Sequence, residues 1–371
     1  MEIKQVEGIK LNFILATART GSTLLSSMLN AHPNVISTIE EPFAFNLFPK
    51  YKRAKKWTTK TIQEFCYDFY LFSEGKLGIQ FGTKKELETL LETHKPNLNA
   101  EVAIKLAYLC FFPNKEKKEI TAIVDKQLKF HSHLEKVARF YPTSKFIILY
   151  RDPRDTVLLT QKVLKIEGKD HTNIYEIAHS WNYVYGRLSD LKTGIGTDRF
   201  LEMKYEDLVL NPEAELKKVC SFLNISYNPA MLQYDEQIKK EMIENENRLG
   251  EDTKNLISLL HGGLSQKVHT EKINIWKQEL KPAEVNLVWS VCGKLAKKIG
   301  YAKGAGFVKQ GSGFKYTFTF LSILLKRIYI DLYYALPFFI KRFIKKIKYG
   351  KRFKSDGYTS KDYYKRSYHS N

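Results

Sequence analysis

The sequence predicts an α/β fold: a P-loop-like parallel β-sheet flanked by helices. Three observations carry this. Residues 11–17 form an almost uninterrupted apolar run, as a strand covered on both faces requires, and after a small-residue turn Leu24, Leu25, Met28 and Leu29 recur at helical spacing. Further strand candidates at 35–39, 120–125, 145–151 and 199–204 are separated by helical segments that include 128–140, 153–166 and 174–191, which implies βαβ units with right-handed crossovers. Finally, Arg19, Glu41, Lys126 and Arg151 all fall at C-terminal strand ends, where ligands collect on such a sheet.

The turn after the first strand is an anion cradle. Gly21 lets the backbone approach a ligand, and the N–H groups of Gly21, Ser22, Thr23 and Leu24 point out of the helix start. It is not a Walker A loop. Counting back from Thr23, Ser22 stands at the lysine position and Ala16 at the first glycine position. The positive charge sits instead at Arg19, within reach of the oxygens of a 5′-bound group, and nothing marks a third phosphate or its metal. The pattern fits a 5′-phosphosulfate better than a nucleoside triphosphate.

A chain of 371 residues accommodates one large α/β domain with insertions, or two domains. Cys66, Cys110, Cys220 and Cys292 show no metal or redox spacing, so four reduced thiols are expected. The N-terminal MEIKQVEGIK has no apolar signal core, which predicts a cytoplasmic protein. The formal net charge of +20 is concentrated in the tail, where residues 303–371 hold 16 Lys and Arg against 3 Asp and Glu.

Residues 43–98 are rich in aromatic and basic side chains, among them Phe43, Phe45, Phe48, Tyr51, Lys52, Arg53, Lys55, Lys56 and Trp57, and read as a helical insertion forming acceptor-side surface. Helices are expected at 212–223, 229–247 and 283–299. The chain then divides into a catalytic domain over 1–302, a Gly-rich linker over 303–313 and a basic, aromatic-rich tail over 314–371. In that tail Lys326, Arg327, Asp331 and Pro337 interrupt the apolar run, which argues against a single spanning helix and for a basic amphipathic segment on an anionic membrane surface. Phe343, Ile344 and Ile347 fall on one side of it, with Lys341, Arg342, Lys345, Lys346 and Lys348 around the other.

Separated segments in consistent order carry a resemblance. These are TARTGSTLL at 17–25 with His32-Pro33 and Glu41-Pro42, Asp125-Lys126, FIILYRDPRD at 146–155, Tyr205-Glu206-Asp207-Leu208 with Asn211-Pro212, and WKQEL at 276–280 before Gly300-Tyr301. Together they resemble the sulfotransferases that use 3′-phosphoadenosine 5′-phosphosulfate (PAPS), in the carbohydrate and tyrosyl-protein branch, over roughly residues 9–301. The resemblance implies the sulfotransferase fold, PAPS as co-substrate and no metal. The loop of Arg19, Thr20, Gly21, Ser22, Thr23 and Leu24 is expected to hold the 5′-phosphosulfate, with Arg151 anchoring the 3′-phosphate. Where the family places a second 3′-phosphate ligand, a serine, this chain has Leu159, and Thr160 is the nearest hydroxyl.

Sulfuryl transfer moves a group between in-line oxygens and depends on charge stabilisation. Arg19 and Lys126 are the catalytic cations expected from that chemistry. The acceptor must also lose a proton; the resemblance implies Glu41 as the base, with Glu40, His131 and His133 as alternatives. Ser265, Lys267, His269 and Lys272 lie in a polar loop before Trp276 where relatives close over the nucleotide, and Ser265 and Lys267 are expected at the 3′-phosphate. Arg154 and Asp155 read as a local ion pair, His32 as a turn residue, and Tyr205, Glu206 and Asp207 as packing and capping groups.

The expected activity is transfer of sulfate to a hydroxyl, less readily an amine, of a carbohydrate or glycolipid, by a protein peripheral to the cytoplasmic membrane face, with no nucleic acid as partner. The rival readings are a nucleotide kinase, against which the missing Walker lysine speaks, and a membrane-associated nucleotide-binding protein without catalysis.

Overall fold

A computed structural model describes residues 1–39, 43–73, 82–112, 114–128, 133–166, 173–236, 238–239, 267–304 and 317–349. A short helix α1 (Ile3–Gly8) leads into β1 (Lys10–Leu15), α2 (Ser22–Asn30) and β2 (Val35–Ile39). Helices α3 (Phe43–Tyr51), α4 (Thr59–Phe72), α5 (Lys84–Thr93) and α6 (Ala100–Leu109) precede β3 (Ala122–Gln127) and α7 (Leu134–Phe140). Then come β4 (Phe146–Tyr150), α8 (Pro153–Ile166), α9 (Ile174–Ile195), β5 (Phe200–Lys204), α10 (Tyr205–Leu210) and α11 (Pro212–Leu223). The described remainder contains α12 (Trp276–Glu279), α13 (Pro282–Ile299), α14 (Thr317–Ala335) and α15 (Phe338–Tyr349).

The five strands form one sheet in the order β2-β3-β1-β4-β5, and every pairing is parallel. Alternation along the strands divides the core in two. Phe13, Leu15, Phe146, Ile148 and Tyr150 face the larger layer, with Phe43, Phe69, Tyr108, Trp181 and Tyr185. Ile14, Ala16, Ile147 and Leu149 face the smaller one, with Leu25, Met28, Leu216 and Val219. Helix starts follow the capping rule: Thr58, Thr83, Asn99 and Asn173 each accept a first-turn N–H.

Several expectations shift. Strand β3 runs two residues further than predicted, so Lys126 lies inside it, and α7 begins at Leu134 rather than at 128. Of the helix expected over 229–247, the described part opens as a 3₁₀ turn over Pro229–Gln233. Within 43–98 the described residues form α3, α4 and α5 as read, but their aromatic side chains are not surface: Phe43, Phe45, Tyr51 and Trp57 are buried. Those rings close the larger core layer.

The described tail docks on the rest of the protein through its basic face and leaves its apolar face exposed. Lys341 and Lys345 are 6% and 8% exposed, whereas Phe343 is 64% exposed and Ile347 67%. Lys341 Nζ lies 5.7 Å from the centre of the Phe45 ring, and burial beside Lys136 and Lys345 lowers its ammonium to about 8. The Arg342 guanidinium donates to Asp68 Oδ1 at 2.6 Å, and Phe338 stacks on Phe72 at 5.1 Å. Asp68, fully buried in α4, also accepts from Lys50 Nζ at 2.7 Å and Tyr51 Oη at 2.8 Å.

Asp68→Ala leaves two cations and a buried phenol without that acceptor, and is expected to cost about 3 kcal/mol of unfolding free energy. Arg342→Ala keeps Asp68 paired with Lys50 and Tyr51 and is expected to cost about 1 kcal/mol. Urea denaturation of both variants checks the ordering; equal costs would show that α15 contributes nothing through this carboxylate.

Candidate active site

The site assembles because the sheet is parallel and in register. Tyr150 pairs with Lys204, so the next residues, Arg151 and Tyr205, leave the two strands side by side. The Arg151 guanidinium lies 4.2 Å from the centre of the Tyr205 ring. On the other flank of β1, Lys126 pairs with Ile14 and with Ile39, the last residue of β2, and its Nζ lies 3.3 Å from Thr23 Oγ1 at the start of α2. Arginine, lysine and the helix start thus lie at the C-terminal end of the three central strands.

The loop between β1 and α2 is held by polar bonds at both ends. Thr20 Oγ1 donates to Thr17 O at 2.8 Å, and the Thr17 N–H donates to Tyr185 Oη at 3.2 Å. Tyr185 Oη in turn donates to Leu149 O at 2.7 Å, tying the loop to β4. Arg19 adopts φ 63° and Gly21 φ 84°, two left-handed residues that turn the chain tightly into α2. Gly21 is the N-cap, with no side-chain cap and no acidic residue in the first turn. The first-turn N–H groups and the helix dipole are therefore left for an anion.

Three cations converge on this loop. Arg151 Nη1 donates to Arg19 O at 3.1 Å and its Nη2 donates to Lys272 O, while Arg151 Nε is buried without a hydrogen-bond partner. The Lys272 ammonium is pushed below its ordinary value by burial and then by the charges of Arg19 and Arg151. Like charges gathered so closely repel one another, and a multiply charged anion relieves that cost.

A second ring of contacts fixes the cations. Trp181 Nε1 donates to Arg151 O at 3.1 Å. Glu206 accepts from Asp152 N and from Tyr301 Oη, both at 2.9 Å, and burial raises its carboxyl. Asp125, buried behind Lys126, accepts from Tyr108 Oη at 2.7 Å, Thr38 Oγ1 at 3.0 Å and Gln127 Nε2 at 2.6 Å.

The ion pair expected between Arg154 and Asp155 is not formed. Arg154 pairs with Asp152 at 2.6 Å and stacks on Trp276 at 3.7 Å. Asp155 instead accepts the backbone N–H groups of Asn274 and Trp276 at 2.8 and 2.9 Å, pinning the segment that carries Lys272. Its position on the first turn of α8 faces that segment, which residue spacing alone does not reveal.

Burial raises the Asp155 carboxyl to about 6, against the lowering effect of those N–H groups and of Arg151. A carboxyl raised in the native state binds more protons there than in the unfolded chain, so its stability contribution falls as pH rises from about 4 to about 6. Between pH 4 and pH 7, the stability difference between wild type and Asp155→Asn is expected to change on the order of 3 kcal/mol, against the wild type as pH rises. Chemical denaturation at the two pH values measures it; a pH-independent difference would place Asp155 at its ordinary value.

The remaining expectations divide. Thr20 and Ser22 are buried in the loop, and Thr23 touches Lys126. Thr160 is half-buried on α8 and Lys267 is exposed, and no described hydrogen bond or ion pair joins either to Arg151. Glu40, Glu41, His131 and Ser265 lie outside the described residues. His133 is buried, stacked between Phe45 at 5.0 Å and Tyr334 of α14 at 4.0 Å, which is a packing environment. His32 bridges Asn34 N and Ser226 O, in keeping with its turn reading. Tyr205 does more than the packing read for it, since its ring lies against both Gly21 and Arg151.

A protein-tyrosine sulfotransferase of Drosophila melanogaster is 28% identical over 230 residues, which cover 62% of this chain and 40% of that protein. Protein-tyrosine sulfotransferase 2 of Gallus gallus is 26% identical over 242 residues, covering 65% of this chain and 58% of its own length. The matches to both therefore span less than two thirds of those relatives. Among solved structures, the sulfotransferase domain from the curacin biosynthetic pathway aligns with a TM-score of 0.45 and 21% identity over 78% of this chain and 98% of that one. A model of the Sulfotransferase family matches residues 13–229, more than half of the chain, and includes Arg19, Gly21, Lys126, Arg151 and Tyr205. The chain belongs to the sulfotransferase family.

Proposed function

We propose that this protein transfers the sulfuryl group of PAPS to a hydroxyl of a carbohydrate or glycolipid by in-line displacement. The observation that carries the reading is the convergence of Arg19, Arg151 and Lys272 on an uncapped helix start that lacks a Walker lysine. A donor with phosphate groups at both 3′ and 5′ suits such a cluster.

In this reading Arg151, with its stacked guanidinium and an Nε still without a partner, holds the 3′-phosphate. The Ser22, Thr23 and Leu24 N–H groups hold the 5′ group. As the acceptor oxygen bonds to sulfur, the bond from sulfur to the bridging oxygen breaks, and the leaving 5′-phosphate oxygen gains negative charge. Arg19 and Lys126 stabilise that charge, and Glu41 takes the acceptor proton. The register of Lys126 against Ile14 and Ile39, at the same end of the sheet as the loop, supports its part in this reading. A peripheral position on the cytoplasmic membrane face goes with a glycolipid acceptor.

A second reading, peptide tyrosine as acceptor, is favoured by the names of the relatives from Drosophila melanogaster and Gallus gallus. Incubating the full chain with ³⁵S-labelled PAPS and, in parallel, a neutral glycolipid, a free oligosaccharide and an acidic tyrosine peptide separates the two. Label on the sugar hydroxyls supports the first reading. Label confined to the peptide would overturn it in favour of the second.

A further inference from the structure

The largest exposed apolar surface of the described residues lies on the two tail helices. On α14, Leu321, Leu324, Leu325, Ile328, Tyr329 and Leu332 are all exposed. Their spacing of three and four residues makes one continuous stripe along the helix. On α15, Phe339, Phe343, Ile344 and Ile347 form another exposed stripe. At about 100° per residue, Lys346 and Lys348 fall at its two borders.

The opposite face of each helix is already used. Ile323 is buried, Lys326 pairs with Glu176 at 2.5 Å, and Arg327 donates to His179 O at 3.1 Å while lying over the Tyr183 ring at 4.0 Å. On α15, Lys341, Arg342 and Lys345 face the protein. A soluble helix normally buries its apolar stripe and exposes its charges. This pair does the reverse, and isolated apolar patches of this extent mark an interaction surface. No helix among the described residues is long and apolar enough to cross a membrane, and Pro337 separates the two.

We propose that α14 and α15 form a docking element that lies in the interfacial plane of an anionic bilayer, apolar stripes in the lipid and border lysines at the headgroups. The occupant follows from charge: of the 16 Lys and Arg in residues 303–371, five (Lys326, Arg327, Lys341, Arg342 and Lys345) are turned to the protein, and the other eleven still outnumber 3 Asp and Glu, complementary to an anionic lipid surface and repulsive toward a second copy of the same tail. This deepens the membrane part of the proposed reading and defines its geometry. The inner side of the hairpin rests on Phe45 and His133, in the segments that follow β2 and β3.

Co-sedimentation of the full chain with phosphatidylcholine vesicles, with and without phosphatidylglycerol, tests the proposal without any substrate, so its failure leaves the sulfuryl-transfer reading separately testable. Binding is expected to need phosphatidylglycerol, to weaken with salt, and to fall about tenfold or more in a Phe339→Ser/Phe343→Ser/Ile347→Ser variant and in a Leu325→Ser/Tyr329→Ser/Leu332→Ser variant. Both sets are at exposed positions, so the unfolding midpoints are expected to stay at the wild-type value. Absence of wild-type binding to anionic vesicles at low salt would overturn the proposal. So would a wild-type dimer, seen by sedimentation equilibrium, that these same substitutions dissociate, since a second copy would then cover the stripes.

Discussion

Replacing Arg19 with alanine is expected to lower the rate of sulfuryl transfer by about a hundredfold to a thousandfold, the loss typical of removing one charge-stabilising donor. The argument rests on how the loop is held. The Arg19 carbonyl accepts from Arg151, and neighbouring Thr17 and Thr20 are bonded independently of the Arg19 side chain. The loop therefore keeps its shape while the charge is lost. Arg19 also sits at φ 63°, where arginine and alanine are strained alike by about 1–2 kcal/mol and glycine is not. Arg19→Gly therefore removes the charge while relieving the backbone: if charge is what matters, glycine is as inactive as alanine. The loss is expected in kcat more than in KM, because the charge on the bridging oxygen develops in the transition state. Equal activity of wild type and Arg19→Gly would remove Arg19 from the chemistry.

Gly21→Ala is expected to weaken binding of adenosine 3′,5′-bisphosphate by about a hundredfold, combining left-handed strain with overpacking. A Cβ at Gly21 would stand 2.2 Å from Cδ2 of Tyr205, at a backbone φ of 84°. A displaced Tyr205 loses its contact with Arg151, whose guanidinium stacks on its ring at 4.2 Å. The substitution thus reaches Arg151, the proposed 3′-phosphate anchor, through one aromatic ring. Tyr205→Ala removes the clash and also the stacking. Titration calorimetry on both single variants and the double is expected to show that adding Gly21→Ala to Tyr205→Ala costs less than it does in wild type. Additive losses would mean that Gly21 and Tyr205 act separately.

All five strands were legible in the sequence because each is a short apolar run between turn signals. The grouping of Arg19, Lys126 and Arg151 was legible too: they sit at or beside strand ends, and a parallel sheet gathers such ends. Lys272 was visible only as part of a polar loop. Its place beside Arg151 depends on the Asp155 carboxylate catching the Asn274 and Trp276 N–H groups, a contact across more than a hundred residues. No local spacing encodes it. The Tyr205 stack was hidden likewise, since it follows from which residue of β4 pairs with which of β5.

The tail shows a different limit. Periodicity correctly divides 338–349 into an apolar and a basic face, but says nothing about which one meets the protein. That choice is made by Asp68, fully buried on α4 and far away in sequence, together with aromatic rings that accept the lysines. The aromatic residues of the 43–98 stretch were misjudged as surface for a related reason: aromatic rings interleaved with lysines look like a ligand face until helices α4 and α6 cover them.

The most direct test of the central claim is calorimetric titration of the full chain with adenosine 3′,5′-bisphosphate, beside ADP and beside ATP with magnesium. Arg151, Lys272 and the α2 start predict tight binding of the bisphosphate and binding weaker by at least about tenfold for ADP, which lacks the 3′-phosphate. Preference for ATP with magnesium, or no binding of the bisphosphate, would contradict the account.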